Sequence, residues 1–168
     1  MIIREELPGD VLGIRKVEEA GFGQKAEADL VDLLRQRKSV TLSLVAEDNG
    51  EIVGHVLFSP GEVSNGVESW PCVGMGPVVV MPGNQGTGIG KKLIEAGVEK
   101  CFLSGVKAIF VLGDPEYYTR FGFICAKWFD IRCEFDAPVE AFMVKAAGPE
   151  AMDGWNGVMH YRPEFKEV

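Results

Sequence analysis

The sequence is poor in the residues that build metal and redox centres. It contains only two histidines, His55 and His160, and its four cysteines show no C-x-x-C spacing. Zinc sites and dithiol redox centres need such side chains grouped at short spacings. We therefore expect no metal ion and no redox cofactor, and we expect the isolated Cys72 to be buried as a small apolar residue.

Positive charge is also scarce. The chain has 17 lysine and arginine residues against 25 aspartate and glutamate residues, which gives a formal net charge of −8. Domains that bind nucleic acids present a basic surface, so this balance argues against DNA or RNA as a partner. An acidic surface is compatible with a cationic substrate.

Long apolar runs are missing as well. No segment approaches the roughly 18 apolar residues of a membrane-spanning helix, and the first residues lack the basic stretch and apolar core of a secretion signal. We expect a cytoplasmic protein with reduced cysteines and no membrane partner. A chain of 168 residues can form one hydrophobic core, so residues 1–168 are predicted to be a single domain.

Alternating strand and helix patterns predict an α+β fold, with helices packed against a mixed sheet. The predicted strands are 1–6, 41–47, 51–59, 73–81, 106–112, 123–129, 139–146 and 157–161, and the predicted helices are 11–20, 27–37, a helix between Gly90 and Gly105, and 114–121. The Asn49-Gly50 pair predicts a hairpin turn. Residues 61–71 are polar and turn-rich, and are predicted to form a loop.

Glycine is abundant, with 21 residues, many of them between Gly74 and Gly90. Residues 85–90, Gln-Gly-Thr-Gly-Ile-Gly, separate a predicted strand from a predicted helix. The first N–H groups of a helix have no partner within it, and the helix dipole adds partial positive charge. Glycines keep side chains out of the way, and Lys91 and Lys92 add charge nearby. The segment is therefore predicted to bind a pyrophosphate.

Two well-known phosphate loops do not fit this segment. A P-loop requires G-x-x-x-x-G-K-[S/T], but Gln85 holds the first glycine position and Lys92 the last. A dinucleotide-binding loop requires G-x-G-x-x-G, and Lys91 holds its third glycine position. A third pattern, Q/R-x-x-G-x-G/A, is met by Gln85, Gly88 and Gly90.

The motifs together resemble the GNAT superfamily of acetyl-CoA-dependent N-acetyltransferases. Residues 75–82, Met-Gly-Pro-Val-Val-Val-Met-Pro, look like the family's fourth strand, and residues 85–90 look like its coenzyme loop. Residues 111–123, Val-Leu-Gly-Asp-Pro-Glu-Tyr-Tyr-Thr-Arg-Phe-Gly-Phe, look like its fifth strand and the following helix. The tail, residues 148–165, resembles a subgroup of predicted bacterial acetyltransferases.

This resemblance implies a mostly antiparallel GNAT-like sheet, acetyl-CoA as co-substrate and an amine as acceptor. It also implies that Tyr118, four residues before Gly122-Phe123, is the general acid. Many relatives have an Asn where this chain has Asp114-Pro115. Homodimers are common among the relatives, so a homodimer is possible here. The implied coenzyme contacts are Val78, Val79, Val80, Gln85, Gly86, Thr87, Gly88, Ile89, Gly90, Lys91, Asp114 and Tyr117.

The general base is left open by the sequence. Glu27, in a predicted helix, and Glu68, just before the fourth strand, are candidates, and a chain of water molecules is a third possibility. His55 is expected to be structural, because a lone histidine on an apolar strand usually is. No Cys-His or Ser-His-Asp constellation is visible, which favours direct attack in a ternary complex. The alternatives are a non-catalytic acyl-CoA-binding module, or an acyltransferase with another acyl-CoA or acceptor.

Overall fold

The computed structural model describes all residues from Met1 to Val168. It has nine strands and four α-helices, joined by short 3₁₀ turns. In chain order these are β1 (Ile2–Glu5), α1 (Val11–Phe22), α2 (Ala26–Gln36), β2 (Leu42–Asp48), β3 (Glu51–Ser64), β4 (Ser69–Val80), α3 (Ile89–Leu103), β5 (Ala108–Leu112), α4 (Pro115–Tyr118), β6 (Ile124–Cys125), β7 (Ile131–Cys133), β8 (Phe142–Ala146) and β9 (Gly157–His160).

All nine strands belong to one sheet, whose main order is β1-β2-β3-β4-β5-β8-β6. The pairs β4–β5 and β7–β9 are parallel, and every other pair is antiparallel. Strand β9 adds to the far end of β3, outside the main order. The mixed, mostly antiparallel sheet with flanking helices confirms the predicted fold class.

Alternation along β3 separates two apolar layers, because successive side chains of a strand point to opposite faces. Val56 and Phe58 join a cluster with the apolar stripe of α3. Leu57 packs on the other face, in a cluster built with α1 and α2. A third cluster lies under the C-terminal segments and contains Trp155 and Tyr161. The helices thus cover both faces of the sheet and bury its centre.

The prediction of a loop at residues 61–71 was wrong. Strand β3 runs on to Ser64 and β4 begins at Ser69, so the two form one long hairpin. The Asn65 side chain accepts hydrogen bonds from the N–H groups of Val67 and Glu68, at 2.9 and 2.7 Å, and closes the turn. Glycine, proline and glutamate are uncommon in strands, so the local sequence did not indicate one here. The far end of the hairpin is instead stabilised by pairing with the distant strand β9.

The C-terminal third also differs from the predicted elements. Only Ile124–Cys125 is a strand within 123–129, and the rest is mainly a 3₁₀ turn. A 3₁₀ turn likewise takes the first part of 139–146, and β7 was not predicted. In 114–121, the α-helix ends at Tyr118 and a 3₁₀ turn follows. These elements are only two to five residues long and pair with distant segments, so local sequence carries little signal for them. No helix in the structure has the length and apolar character needed to cross a membrane.

Candidate active site

Strands β4 and β5 separate soon after they meet. They pair only at Val73 with Ile109 and at Gly74 with Phe110, although β4 continues to Val80. On its other edge, β4 stays paired with β3 through Val78, Val79 and Val80. One edge of β4 therefore has backbone N–H and C=O groups without a strand partner, directly before the glycine-rich segment.

The backbone of the glycine-rich segment is open to a ligand. Gly86 and Gly88 have φ angles of 77° and 87°, a left-handed conformation that favours glycine, and no atom lies within 4 Å of a β-carbon built on either. The N–H groups of residues 85–88 donate no hydrogen bond within the protein. Lys92 is the first residue of α3 whose N–H donates to a carbonyl, that of Gly88 at 3.1 Å. A row of free N–H donors thus lies at the N-terminus of α3.

Side chains of this segment hold its shape. The Gln85 amide donates to the Val80 carbonyl at 3.2 Å, and the Thr87 hydroxyl donates to the Asn84 carbonyl at 2.5 Å. Ile89 is buried in the core and fixes the start of α3. Lys91 is exposed on the first turn of α3. The segment is therefore anchored at both ends, while its N–H groups remain free.

Helix α4 packs beside the start of α3. Asp114 caps α4 by accepting a hydrogen bond from the N–H of Glu116 at 3.0 Å. The Tyr117 hydroxyl lies close to Gly90, where a β-carbon would be only 3.0 Å from it. Gly90 therefore leaves room for the Tyr117 side chain, whose hydroxyl lies next to the glycine-rich segment.

A cavity of about 310 Å³ lies where β4 and β5 separate. One wall, here called the strand side, comes from the two strands and α4. The rest of the lining, here called the aromatic side, comes from α1, α2 and the C-terminal segments. The strand side consists of Met75, Gly76, Pro77, Val78, Val111, Leu112 and Tyr118, and the aromatic side consists of Phe22, Glu27, Leu30, Phe135, Tyr161 and Phe165.

Tyr118 lies largely buried on the strand side of the cavity. Its ring packs edge-on against Tyr117 and Phe123, with ring centroids 5.1 and 5.9 Å away. Burial, with a smaller contribution from Tyr117, raises the pKa of the Tyr118 phenol to about 12. The phenol is therefore fully protonated at neutral pH and can donate a proton.

The aromatic side was not identified from the sequence. The Tyr161 ring stacks on Phe135 with centroids 5.5 Å apart, and it also contacts Phe165 at 5.0 Å. The order of segments along the chain does not reveal this contact, because Phe135 and Tyr161 meet only through the pairing of β7 with β9. The only available signal was the density of aromatic residues in the tail.

The two candidate bases are in different places. Glu27 lines the cavity, and its carboxylate accepts hydrogen bonds only from the Gln24 amide, at 2.9 and 3.0 Å. Glu68 is exposed in the turn between β3 and β4 and does not line the cavity. The structure therefore brings Glu27, but not Glu68, to the same cavity as Tyr118.

No Ser-His-Asp constellation was visible in the sequence, and His55 was expected to be structural; the structure places His55 in a buried hydrogen-bonded chain. His55 is fully buried, with Nδ1 2.6 Å from the Glu18 carboxylate and Nε2 2.8 Å from the Ser43 hydroxyl. Burial raises the pKa of Glu18, against the opposing effect of His55. None of the three residues lines the cavity, and Ser43 is itself buried. The arrangement joins α1 to β2 and β3, and its serine is out of reach of a substrate in the cavity.

No cluster of three or more histidine, cysteine, aspartate or glutamate side chains could hold a metal ion. Cys72 is buried, as its isolation in the sequence suggested, and burial raises the pKa of its thiol well above the usual value. The thiolate is the reactive form of cysteine, so Cys72 is chemically quiet in this position.

The chain is similar in sequence to known proteins. Residues 3–126 match a family model described as an acetyltransferase (GNAT) domain. The N-acetyltransferase YhbS of Escherichia coli strain K12 is 37% identical over 166 residues, 98% of each chain. The N-acetyltransferase YjhQ of the same strain is 40% identical over 116 residues, which cover 68% of this chain and 64% of YjhQ.

Solved structures agree with this likeness. The crystal structure of YhbS in complex with CoA superposes with a TM-score of 0.93 and covers 98% of this chain and 91% of that one. A GNAT acetyltransferase from Brucella melitensis in complex with acetyl-CoA is 38% identical, with a TM-score of 0.81 and coverage of 98% and 97%. The open edge of β4, the glycine-rich segment and these matches together show that the chain belongs to the GNAT family of N-acetyltransferases.

Proposed function

We propose that the protein transfers an acetyl group from acetyl-CoA to a primary amine, by direct attack within a ternary complex. The observation that carries the proposal is the shared cavity. It joins the open edge of β4 to the buried phenol of Tyr118 on one side and to the carboxylate of Glu27 on the other. The chemistry that acetyl-CoA supplies is an acetyl group activated as a thioester.

The free backbone donors fit the phosphate end of this co-substrate. The N–H groups of residues 85–91 bind the pyrophosphate, with charge from Lys91 and the helix dipole. Tyr117 lies beside the same segment, and Asp114 caps the helix that carries Tyr117, so both would border the coenzyme when it binds. The unpaired edge of β4 from Val78 to Val80 offers hydrogen bonds to the amide groups of the pantetheine arm. Two relatives of 37% and 38% identity bind CoA and acetyl-CoA respectively, which supports this assignment.

The transfer forms a C–N bond at the acetyl carbonyl carbon and breaks the C–S bond to the coenzyme. The electron pair of that bond leaves as a thiolate, which takes a proton from the Tyr118 hydroxyl. A backbone N–H on the open edge of β4 stabilises the charge that develops on the carbonyl oxygen. With a pKa of about 12, the Tyr118 hydroxyl is protonated at neutral pH when the thiolate leaves.

An acceptor that arrives as an ammonium ion loses one proton to become a neutral amine and a second proton when the C–N bond forms. Glu27 is the only carboxylate in the cavity; it passes the first proton to solvent and then accepts the second, directly or through a water molecule. The second proton, gained at Glu27, balances the proton that Tyr118 gives to the thiolate. The net reaction releases one proton to solvent, and the next turnover begins after Glu27 and Tyr118 exchange protons with solvent.

A direct transfer is favoured over a covalent acetyl-enzyme. No cysteine or serine side chain lines the cavity. The one serine with an adjacent histidine, Ser43, is buried outside it. An activated nucleophile within reach of the thioester is therefore missing from the cavity.

The test has two stages. Calorimetric titration with acetyl-CoA should detect one binding site per chain, and absence of binding to folded protein would rule out the proposal. Thiol release from acetyl-CoA should then depend on an added amine. Binding without amine-dependent thiol release would instead identify a coenzyme-binding module.

A further inference from the structure

The aromatic side of the cavity indicates what kind of amine it accepts. We propose that the acceptor is a small primary amine with an apolar, ring-sized body and no carboxylate, whose ammonium group binds Glu27. This inference rests on the proposed function, because it assumes that the strand side of the cavity holds the acetyl thioester.

Glu27 is the only charged residue that lines the cavity. No lysine, arginine or histidine of the chain forms an ion pair with it. The neighbouring carboxylates of Glu19, Asp29 and Asp32 all bind Arg15, at 2.7–2.9 Å. Among these neighbouring carboxylates, Glu27 alone has no cationic partner within the protein. Its negative charge is therefore available to bind a cationic ligand.

The walls around Glu27 are apolar. Tyr161 contacts the rings of Phe135 and Phe165, and Phe22 and Leu30 line the same side of the cavity. Aromatic rings also favour a nearby ammonium group through their electron-rich faces. An acceptor that buries a hydrocarbon body against these rings gains free energy in proportion to the apolar area that it removes from water.

The residue types that are absent from the cavity lining further restrict the chemical class of the acceptor. Without a lysine or arginine, the carboxylate of an α-amino acid would be buried beside Glu27 with no partner, which is costly. The lining also has no asparagine, glutamine, serine or threonine that could pair with the amide groups of a peptide. A free amino acid and a peptide segment therefore both fit poorly.

The volume of the cavity limits the size of the acceptor. A volume of about 310 Å³ lies at the lower end of the roughly 300–1,000 Å³ that small-molecule sites occupy. The acetyl thioester takes part of this space, so the acceptor body has room for about one ring. Polyamines, which are long and charged along their length, would have to bury a second ammonium group in a cavity that has no second carboxylate to pair with it.

The experiment uses the full chain with acetyl-CoA and measures thiol release with matched amines. We expect kcat/KM for 2-phenylethylamine to exceed that for L-phenylalanine, which adds only the carboxylate, by about 100-fold. Ethylamine, which lacks the ring, and spermidine should also be poorer substrates by about 10-fold or more. A preference for L-phenylalanine, spermidine or a lysine peptide, with thiol release intact, would overturn the inference while leaving the proposed function in place.

Two variants locate the binding groups. Glu27→Gln should raise KM for 2-phenylethylamine by about 10-fold, lower kcat because the proton acceptor is lost, and leave acetyl-CoA affinity unchanged. Asp29→Asn, on the same helix but paired with Arg15, is the matched control and should leave both unchanged. Phe135→Ala should raise KM for 2-phenylethylamine and not for ethylamine. Equal effects on both amines would contradict a ring-binding wall.

A second readout separates the amine from the acyl chain as occupant of the aromatic side. If this space held a longer acyl chain, hexanoyl-CoA would be a better donor than acetyl-CoA. We expect the opposite order, and unchanged acetyl-CoA titration in each variant would show that the variant is folded. Better turnover with hexanoyl-CoA would overturn the assignment of this space to the acceptor.

Discussion

The two surfaces of the site are built on different principles. The coenzyme surface, which joins the strand side of the cavity to the adjacent glycine-rich segment, presents backbone groups of β4 and of the start of α3, with α4 next to them. The aromatic side uses side chains from α1, α2 and the segments after β6, which meet only in the folded protein. A backbone-built surface can bind the same co-substrate in many chains, whereas a surface of side chains changes with each substitution.

The largest loss of acetyl-CoA affinity is expected from a substitution in the glycine-rich segment. Gly88→Asp should weaken acetyl-CoA binding by roughly 100- to 1,000-fold, because the residue has a left-handed backbone and the new carboxylate faces the pyrophosphate. Titration calorimetry measures the loss. Gly83→Asp adds the same charge to the same connection without a positive φ, and should have a much smaller effect. Equal losses in both variants would mean that charge alone, rather than the glycine backbone, explains the result.

The next largest effect is expected on kcat, from Tyr118, the strand-side residue to which we assign the role of general acid. Tyr118→Phe should lower kcat by roughly 100-fold with little change in acetyl-CoA affinity, because a proton donor is lost while the ring stays in place. Tyr117→Phe is the control, since its hydroxyl lies at Gly90 rather than in the cavity. Unchanged kcat in Tyr118→Phe would remove this residue from the acid role.

The pH profile sharpens the same assignment. The pKa of Tyr118 is raised, so its protonated form, the one that acts as an acid, persists as pH rises through 10 towards about 12. Loss of kcat from Tyr118 ionisation should therefore be absent up to about pH 11. A kcat that falls with an apparent pKa near 10, and no longer does so in Tyr118→Phe, would show that burial does not protect the phenol.

A smaller effect is expected where a side chain only supports the backbone. The Gln85 amide is exposed and holds the glycine-rich segment to Val80 through one hydrogen bond of 3.2 Å. Gln85→Ala should weaken acetyl-CoA binding by roughly 2- to 10-fold, the usual value of a single hydrogen bond. Gln24→Ala, outside this segment, should leave the affinity unchanged. A loss as large as that in Gly88→Asp would mean that Gln85 itself contacts the phosphates.

The smallest effect lies outside both walls. Glu68→Gln should change kcat and KM by less than about twofold, as is usual for an exposed residue far from the site. The same assay applied to Glu27→Gln provides the contrast. A clear loss of kcat in Glu68→Gln would reopen its candidacy as the general base.

The glycine-rich segment was accessible from the sequence because its signals are local. Gly88 has a left-handed backbone that favours glycine, and Gly90 leaves room for the Tyr117 hydroxyl. The fold class followed from the alternating patterns of β2, β3 and α2. These features depend on neighbours in the chain, so periodicity and turn chemistry could identify them. Tyr118, in contrast, was singled out only by the resemblance of residues 111–123 to the GNAT family.

The aromatic side depends on long-range contacts that local patterns do not encode. Phe135 and Tyr161 become neighbours through two short strands, β7 and β9, and β9 in turn is held by the end of β3 that was predicted to be a loop. The pairing of Glu18 with His55 joins residues 37 positions apart. Secondary-structure propensity does not predict such long-range pairs, because tertiary packing determines them.

The buried chain Glu18–His55–Ser43 has a geometric consequence for one side of the cavity. Apolar contacts between a helix and a sheet tolerate sliding, but hydrogen bonds of 2.6 and 2.8 Å allow a single register. Helix α1 ends at Phe22, which lines the cavity, and a slip by one turn would move that ring by about 5.4 Å. The three residues therefore fix the position of a cavity-lining ring, although none of them lines the cavity itself.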